Sequence, residues 1–280
     1  MLGKASRACL RNSRHEPGEV DVLLNAGLYR TAFLSEPAIA SLLAGMLKIN
    51  DEPENQIAPK TLAFDVGNGA LGFLNACYLA TVLIDAEAAE HVLVAASEVE
   101  NNAKPVPDSL RGVKETASAV MLDADHGGDE GFRAFRFTFF PEHEEALRVH
   151  GTAREWEVNG RHVARLHMEI SPGLEDALIP CIVESVRDFL AEEDLTWDDI
   201  AAVLPPQIAT GFITKLATAL AVDPGRFIDV TCAGGDLFTS SLAYAFAAAT
   251  AEPARVRRGD LGLIVNVASG IEVGCALYQF

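Results

Sequence analysis

Short apolar runs alternate with helical segments along the chain, and the same order of elements occurs twice. In each half an acidic lead-in precedes an apolar strand and an apolar helix, and a second strand then contains an aspartate, as in Ala63-Phe64-Asp65-Val66 and Phe227-Ile228-Asp229-Val230. A glycine-rich bend, a helix of small and apolar residues and two further strands complete each half. Strands that alternate with helices favour parallel pairing. The repeated β-α-β-α-β-β order therefore predicts an internal duplication.

The two helices that follow the glycine-rich bends, predicted over Gly72–Asp85 and Leu237–Ala251, are apolar nearly all round. A helix without a polar face is a buried helix, so we expect both to pack between two sheets in a five-layer α/β/α/β/α sandwich. Residues 123–165 are more charged and less periodic, and we predict that they form an insertion capping one end of the cleft. The expected halves are therefore residues 1–165 and 166–280.

The segment FDVGNGALGF, from Phe64 to Phe73, has the form of a nucleophile-bearing turn between a strand and a buried helix. Together with LLNAGLYRTAFLSEPAIA, HVLVAASEVE and GIEVGCALYQF it resembles the thiolase superfamily, and most closely its β-ketoacyl-acyl-carrier-protein synthase III branch. The resemblance runs from about Ala5 to the last residue. Relatives begin with a strand and a loop that supply an aromatic and a basic residue to the CoA nucleotide. This sequence has no counterpart of that segment, so we expect weaker CoA entry by the usual route.

The resemblance implies a Cys-His-Asn centre, and this sequence departs from it at all three positions. The cysteine that accepts the acyl group corresponds to Ala70, and the histidine of the Pro-His-Gln-Ala motif corresponds to Pro206. The asparagine of the Gly-Asn pair corresponds to Asp236. In the family the histidine and asparagine stabilise an enolate oxyanion, whereas proline has no donor and an ionised aspartate is itself an anion. We therefore expect no Cys-His-Asn condensation in this chain alone.

Two other residues are alternative candidates for chemistry. Cys232 lies in the second-half counterpart of the Ala70 bend, although no histidine beside it in the sequence would activate a thiolate. Asp236 could act as a general base if burial raises its pKa, and ester-forming relatives carry aspartate there. Cys77 and Cys275 are expected in the core. His162 and His167 flank a predicted strand at an odd separation, which places them on opposite faces, so we expect no metal site there. We also expect no cofactor.

Composition narrows the classes of partner. The formal net charge is −18 with a pI near 4.7, which disfavours nucleic acid and anionic membranes and opposes long-range capture of CoA or an acidic carrier protein. The five cysteines show no disulfide or zinc spacing, as expected for a reduced, cytoplasmic protein. No charge-free apolar run approaches the ~20 residues that cross a bilayer.

The sequence favours a catalytically deficient subunit that forms a heterodimer with an active ketosynthase and shapes the acyl site of that partner, in fatty-acid or polyketide-type metabolism. A homodimer is the other expected assembly, and an acyl-carrier protein is a further expected partner. The rival hypothesis is a redirected acyltransferase or thioester hydrolase that works without a covalent intermediate, through Asp236, Cys232 or Thr239. A degraded gene product without a role is the third alternative.

Overall fold

The computed structural model describes residues 1–30, 34–50, 60–99, 113–124, 127–158, 161–209, 211–231, 235–251 and 255–280, with the backbone alone over residues 152–158 and 161–166. The α-helices among these residues are α1 (Leu2–Ser13), α2 (Ile39–Leu47), α3 (Gly72–Asp85), α4 (Leu174–Glu192), α5 (Phe212–Leu220) and α6 (Ser241–Thr250). The strands are β1 (Val22–Asn25), β2 (Leu62–Asp65), β3 (His91–Glu98), β4 (Thr116–Asp123), β5 (Gly131–Phe139), β6 (Leu147–Val158), β7 (Arg161–Ile170), β8 (Ile200–Leu204), β9 (Leu261–Ala268) and β10 (Glu272–Gln279).

Two four-stranded sheets carry the internal repeat. The N-terminal sheet has the order β2-β1-β3-β4, with β1 parallel to β2 and β3, and β4 antiparallel to β3. The C-terminal sheet has the order β5-β10-β9-β8, with β8 parallel to β9 and the remaining pairs antiparallel. Strands β6 and β7 form a separate two-stranded sheet. The parallel pair followed by an antiparallel edge recurs in both sheets, as a duplicated sequence predicts.

The hydrophobic cores confirm the five layers. Helices α3 and α6 lie between the sheets, where Phe73, Leu74 and Ala245 are fully buried in one cluster with side chains of both sheets. Helices α1 and α2 cover the outer face of the N-terminal sheet. Helices α4 and α5 cover the outer face of the C-terminal sheet. The prediction of two buried helices is thus confirmed, although Tyr78 and Val82 leave one side of α3 exposed.

The predicted strand over residues 227–230 is wrong, because Phe227 makes only an isolated bridge to Val203. The reason is local hydrogen bonding. The Gln207 side chain donates to the carbonyl of Ile228 and accepts from the N–H of Val230, and so occupies backbone groups that a strand partner would use. Asp229 accepts from the backbone N–H and the hydroxyl of Thr231 in a turn. Such side-chain bonds compete with sheet pairing.

Three further expectations concern boundaries. The predicted cap insertion includes a predicted short strand over residues 132–140, and residues 131–139 form β5 at the edge of the C-terminal sheet. The division at residue 165 falls inside β7 and stays a prediction. The second buried helix starts at Ser241, after a 3-10 turn in which Phe238 has φ 47°. None of the described helices combines the length and apolarity needed to cross a bilayer.

Candidate functional site

Ala70 lies in the tight turn that joins β2 to α3. Gly69 has φ +51°, and α3 begins two residues after Ala70, at Gly72. A Cβ atom at Gly72 would lie 3.3 Å from the carbonyl oxygen of Val66 and 3.4 Å from that of Ala26, so glycine permits the close entry into the helix. The Asn266 side chain donates to the Ala70 carbonyl over 3.0 Å. The turn therefore presents a methyl group close to the N-terminus of a buried helix.

Asp65, the aspartate of the Phe-Asp-Val segment, holds the neighbouring elements in place. Its carboxylate accepts from the backbone N–H groups of Ile39 and Ala40, which open helix α2, over 3.0 and 2.9 Å. It also accepts from the Asn25 side chain and pairs with Arg30 at 3.0 Å. A carboxylate at a helix N-terminus satisfies free N–H groups and interacts favourably with the helix dipole. Asp65 therefore has a structural role.

Ala70 is half-buried and packs against apolar side chains. Tyr29 and Phe238 are buried with their ring centroids 5.2 Å apart. Ala70, Val113 and Met168 pack against this pair. The cluster joins segments from both halves of the chain at the position where the resemblance expects a reactive sulfur. Ala70 is therefore in contact with apolar side chains.

Pro206 is buried, and its neighbour Gln207 connects it to the segment that contains Asp236. Gln207 is fully buried and donates to the carbonyls of Pro205 and Ile228 over 3.0 and 2.8 Å. The Gln207 carbonyl accepts from the backbone N–H of Leu237, the residue after Asp236. The structure thus brings the Pro206 and Asp236 segments together. The glutamine of the Pro-Pro-Gln stretch acts here as a backbone clamp, a role the sequence motif did not indicate.

Asp236 is a partly buried carboxyl group with few donors. One carboxyl oxygen accepts from the backbone N–H of Phe238 over 2.8 Å, and the Asp236 carbonyl accepts from the N–H of Lys114. Burial raises the pKa of Asp236 to about 7, the charge of Glu98 acts in the same direction, and the Phe238 hydrogen bond opposes both. This environment meets the condition under which the sequence makes Asp236 a candidate general base. Near neutral pH, Asp236 can exist in either protonation state.

Glu98, at the end of β3, is the second buried acid of this region, and the sequence reasoning missed it. Its side chain is fully buried and accepts from the backbone N–H groups of Leu28 and Tyr29 over 3.2 and 2.7 Å, and from the Thr239 hydroxyl over 2.5 Å. Burial raises the pKa of Glu98 despite these donors. Burial, with the charges of Glu98 and Asp236, raises the pKa of Tyr29 as well. A lone acid within the apolar stretch HVLVAASE was the available signal.

The described cysteines are poor candidates for chemistry. Cys232, the cysteine considered as a candidate from the sequence, lies outside the described residues. Cys77 and Cys275 are buried, as expected, and burial raises the pKa of both thiols, that of Cys275 to about 12. A thiol with a raised pKa is a poor nucleophile. Thr239, the remaining sequence candidate, donates its hydroxyl to Glu98.

The described residues line two cavities of comparable size. One of about 550 Å³ follows the α3–α6 layer and is lined by Phe73, Cys77, Leu242 and Phe246, with Asp123 and Glu130 among the acidic residues around it. Another of about 440 Å³ is lined mainly by α1, α2 and the ends of β1 and β3. Among the described lining residues, Ala70, Pro206 and Asp236 line neither cavity. These two cavities therefore lie apart from Ala70, Pro206 and Asp236.

Comparison with known proteins agrees with this architecture. The family described as 3-oxoacyl-[acyl-carrier-protein (ACP)] synthase III C terminal matches residues 190–280. The chain is 25% identical to the β-ketoacyl-[acyl-carrier-protein] synthase III of Rhizorhabdus wittichii over 282 aligned residues, which cover 100% of this chain and 83% of that protein. It is 26% identical to the enzyme of the same name from Brucella anthropi, over 99% of this chain and 82% of that protein.

Solved structures give the same answer for the fold. The 3-oxoacyl-[acyl-carrier-protein] synthase III of Aquifex aeolicus superposes with a TM-score of 0.81 at 22% identity, over 100% of this chain and 83% of that one. A cysteine-to-serine variant of Xanthomonas campestris OleA, solved with lauric acid and lauroyl-CoA, also gives 0.81, at 16% identity over 100% and 81% of the chains.

The duplicated five-layer sandwich is the fold of the synthase III structures on which this chain superposes. The chain is similar to β-ketoacyl-acyl-carrier-protein synthase III over its whole length, and its residues 190–280 match the C-terminal model of that family.

Proposed function

We propose that this chain is a non-catalytic, synthase III-like subunit that pairs with an active ketosynthase and shapes the acyl-binding site of that partner. The observation that carries the proposal is Ala70. It lies at the turn before α3 with the backbone frame retained, and its side chain packs against Tyr29 and Phe238. A methyl group cannot accept an acyl group as a thioester, so the covalent step of the family reaction has no acceptor at this position.

The two other degenerate positions support the same conclusion. Pro206 has no side-chain donor, and Asp236 carries up to one negative charge where an enolate oxyanion would develop. Stabilising an oxyanion requires donors aimed at the developing charge, and an ionised carboxylate would oppose it. Restoring the reaction would therefore require changes at all three sites.

The edge of the N-terminal sheet supports pairing with another subunit. Strand β2 precedes the Ala70 turn and forms one end of the sheet order, and Leu62 at its start is 56% exposed. An edge strand offers unpaired backbone groups to another chain. Two-fold pairing of β2 with the equivalent strand of a partner would produce one continuous sheet, with an interface of the obligate class. The chain would then serve as one wall of the partner's acyl site.

Acyl carriers reach such a complex through the active partner. The net charge of −18 opposes attraction of a polyanionic CoA or acidic carrier protein to this chain. The apolar lining of the α3–α6 cavity, Phe73, Leu242 and Phe246, offers space for part of an acyl chain. Fatty-acid or polyketide-type metabolism is the setting that fits this chemistry.

The test is reconstitution with a ketosynthase from the same cell that carries the intact Cys-His-Asn set. We expect co-purification as a heterodimer, with a changed chain-length preference of the partner. The variant Leu62→Arg, at the β2 edge, should weaken the complex. Val149→Arg, a partly exposed position on the separate β6–β7 sheet, is the matched control and should not. Failure of the chain to bind any intact homologue, or a covalent acyl adduct detected on this chain by mass spectrometry, would reject the proposal.

The raised pKa of Asp236 favours one alternative function. A carboxyl group with a pKa of about 7 is matched to general base catalysis near neutral pH, and could activate water or an alcohol against a bound thioester without a covalent intermediate. The alternative predicts turnover of acyl-CoA or acyl-carrier protein by the purified chain alone. It also predicts loss of that turnover in Asp236→Ala, whereas the subunit proposal predicts none to begin with.

A further inference from the structure

The carboxylate of Asp123 lies between two imidazole rings, well away from Ala70. His15 Nε2 lies 3.0 Å from Asp123 Oδ1, and His91 Nδ1 lies 3.0 Å from the same oxygen. One ligand atom from each of the three residues lies within 4.8 Å of the other two. The side chains of His15 and His91 are 15% and 29% exposed. Three donors of the types that bind transition metals therefore meet at one partly shielded point.

Local backbone structure explains why these residues meet. Helix α1 ends at Ser13, the capping residue Arg14 adopts the left-handed conformation with φ 63°, and the N–H of His15 donates to the carbonyl of Leu10. This turn directs the chain across the sheet end. His91 and Asp123 are directly opposite each other in the antiparallel β3–β4 register, where facing side chains are in contact range. His15, His91 and Asp123 are far apart in the sequence, so no local motif indicates that they meet.

A fourth residue orients His15. The carboxylate of Glu19 lies 3.4 Å from His15 Nδ1, the ring nitrogen that faces away from Asp123. Glu19 is itself fixed, because it accepts from the backbone N–H of Glu16 over 2.8 Å. A histidine that ligates a metal through one nitrogen characteristically donates from the other to a carboxylate or carbonyl. The Glu19–His15 contact supplies this arrangement and directs Nε2 towards Asp123, with which it makes a hydrogen-bond contact.

We propose that His15 Nε2, His91 Nδ1 and Asp123 bind a divalent transition metal of the zinc class, with water as the fourth ligand. Zinc bonds of about 2.0–2.2 Å to nitrogen and oxygen place tetrahedral ligand atoms about 3.3 Å apart. The 3.0 Å separations here are close to that value, so a small outward rotation of the rings admits the ion. Two imidazoles and one carboxylate suit zinc better than calcium or magnesium, which prefer oxygen ligands.

The position of the group indicates a structural ion. His91 begins β3, whereas Ala70 follows the end of β2, and both strands run parallel to β1. The metal site and the Ala70 turn are therefore at opposite ends of the N-terminal sheet. An ion at His15, His91 and Asp123 would tie the end of α1 to the β3–β4 pair. The inference is independent of the subunit role proposed above.

The test uses the untagged full-length chain after treatment with a chelator. Titration with zinc sulfate in a calorimeter should give one ion per chain, and cobalt(II) should give the visible absorption of a four-coordinate site. Zinc should raise the melting temperature, because it binds the folded state preferentially. Calcium and magnesium should produce neither heat nor stabilisation.

Variants locate the site. His91→Ala and Asp123→Asn should each abolish the 1:1 binding, with circular dichroism confirming that each variant is folded. Because Asp123→Asn alters a single partly exposed group, it serves if His91→Ala does not fold. Glu19→Gln should weaken binding about 10-fold through loss of the orienting charge, and unchanged affinity would refute the role given to Glu19. The control is His150→Ala, since His150 stacks on His167 in a separate histidine pair with ring centroids 5.4 Å apart. No zinc uptake by the parent chain, uptake that survives both ligand variants, or loss of uptake in His150→Ala would each overturn the assignment.

Discussion

Replacing Asp236 by asparagine should make the protein less sensitive to pH. Asparagine keeps an oxygen that accepts from the N–H of Phe238 and removes the group whose ionisation is opposed by burial and by Glu98. In the folded protein the pKa of Asp236 is raised from 3.8 to about 7. The folded state therefore holds a proton between about pH 4 and pH 7 that the unfolded chain has released. The stability contributed by this group is present below that window and is lost as the pH rises through 7.

The size of the effect follows from the shift. About three pKa units at about 1.4 kcal/mol each give a ceiling of about 4 kcal/mol for the cost of ionised Asp236 above pH 7. Because this carboxyl is only partly buried and water can relax around it, we expect a smaller value. The stabilisation of Asp236→Asn over the parent chain should grow by about 1–2 kcal/mol between pH 5 and pH 8.

Urea denaturation at pH 5 and pH 8, followed by circular dichroism, measures the free energy of unfolding of both proteins. Asp198→Asn, at an exposed carboxyl, is the matched control and should leave the pH dependence of the parent chain in place. Parallel pH profiles for the parent and Asp236→Asn would refute the reasoning, because they would mean that Asp236 ionises in the folded state as it does in the unfolded chain.

Three further changes test the packing and hydrogen bonding that support the site. Gly27→Ala should lower the free energy of unfolding by at least about 2 kcal/mol, because the new Cβ atom would lie 2.4 Å from the backbone oxygen of Ser97. The control is Gly18→Ala, whose Cβ atom would have no atom within 4 Å and should change the free energy of unfolding little. Urea titration of both variants measures the difference. Gln207→Leu should lower the free energy of unfolding by about 2–4 kcal/mol in the same assay, because the backbone groups that the Gln207 amide contacts would lose their hydrogen-bond partner. An unchanged free energy of unfolding would contradict the clamp role. Ser185→Ala should leave the melting temperature unchanged or raise it, because the buried Ser185 hydroxyl has no hydrogen-bond partner among the described residues. A large fall in the melting temperature would show that this hydroxyl does make a stabilising hydrogen bond.

The elements that the sequence predicted well are those set by local apolar pattern. Helix α3 begins at Gly72 and ends at Asp85, as predicted, because a glycine-rich bend precedes it and its apolar run is uninterrupted. The apolar runs predict the two closing strands of each half, and three of these, over residues 91–97, 261–267 and 272–280, agree with β3, β9 and β10 within one residue at each end. The segment 227–230 has the same apolar character and forms no strand. Its backbone partners come from the Gln207 side chain, and no local pattern reports a distant glutamine.

The chemistry of the candidate site likewise depends partly on single residues and partly on tertiary contacts. That Ala70 offers no nucleophile and Pro206 no donor follows from the identity of single residues, which the chain carries before it folds. The raised pKa of Asp236, the burial of Glu98 and the packing of Ala70 against Tyr29 and Phe238 depend on contacts between segments from both halves of the chain. The grouping of His15, His91 and Asp123 likewise depends on strand register and on how α1 ends. Sequence alone determined which atoms are available, while the tertiary structure decided their distances and their exposure to water, because electrostatic and ligating interactions depend on separation and solvation.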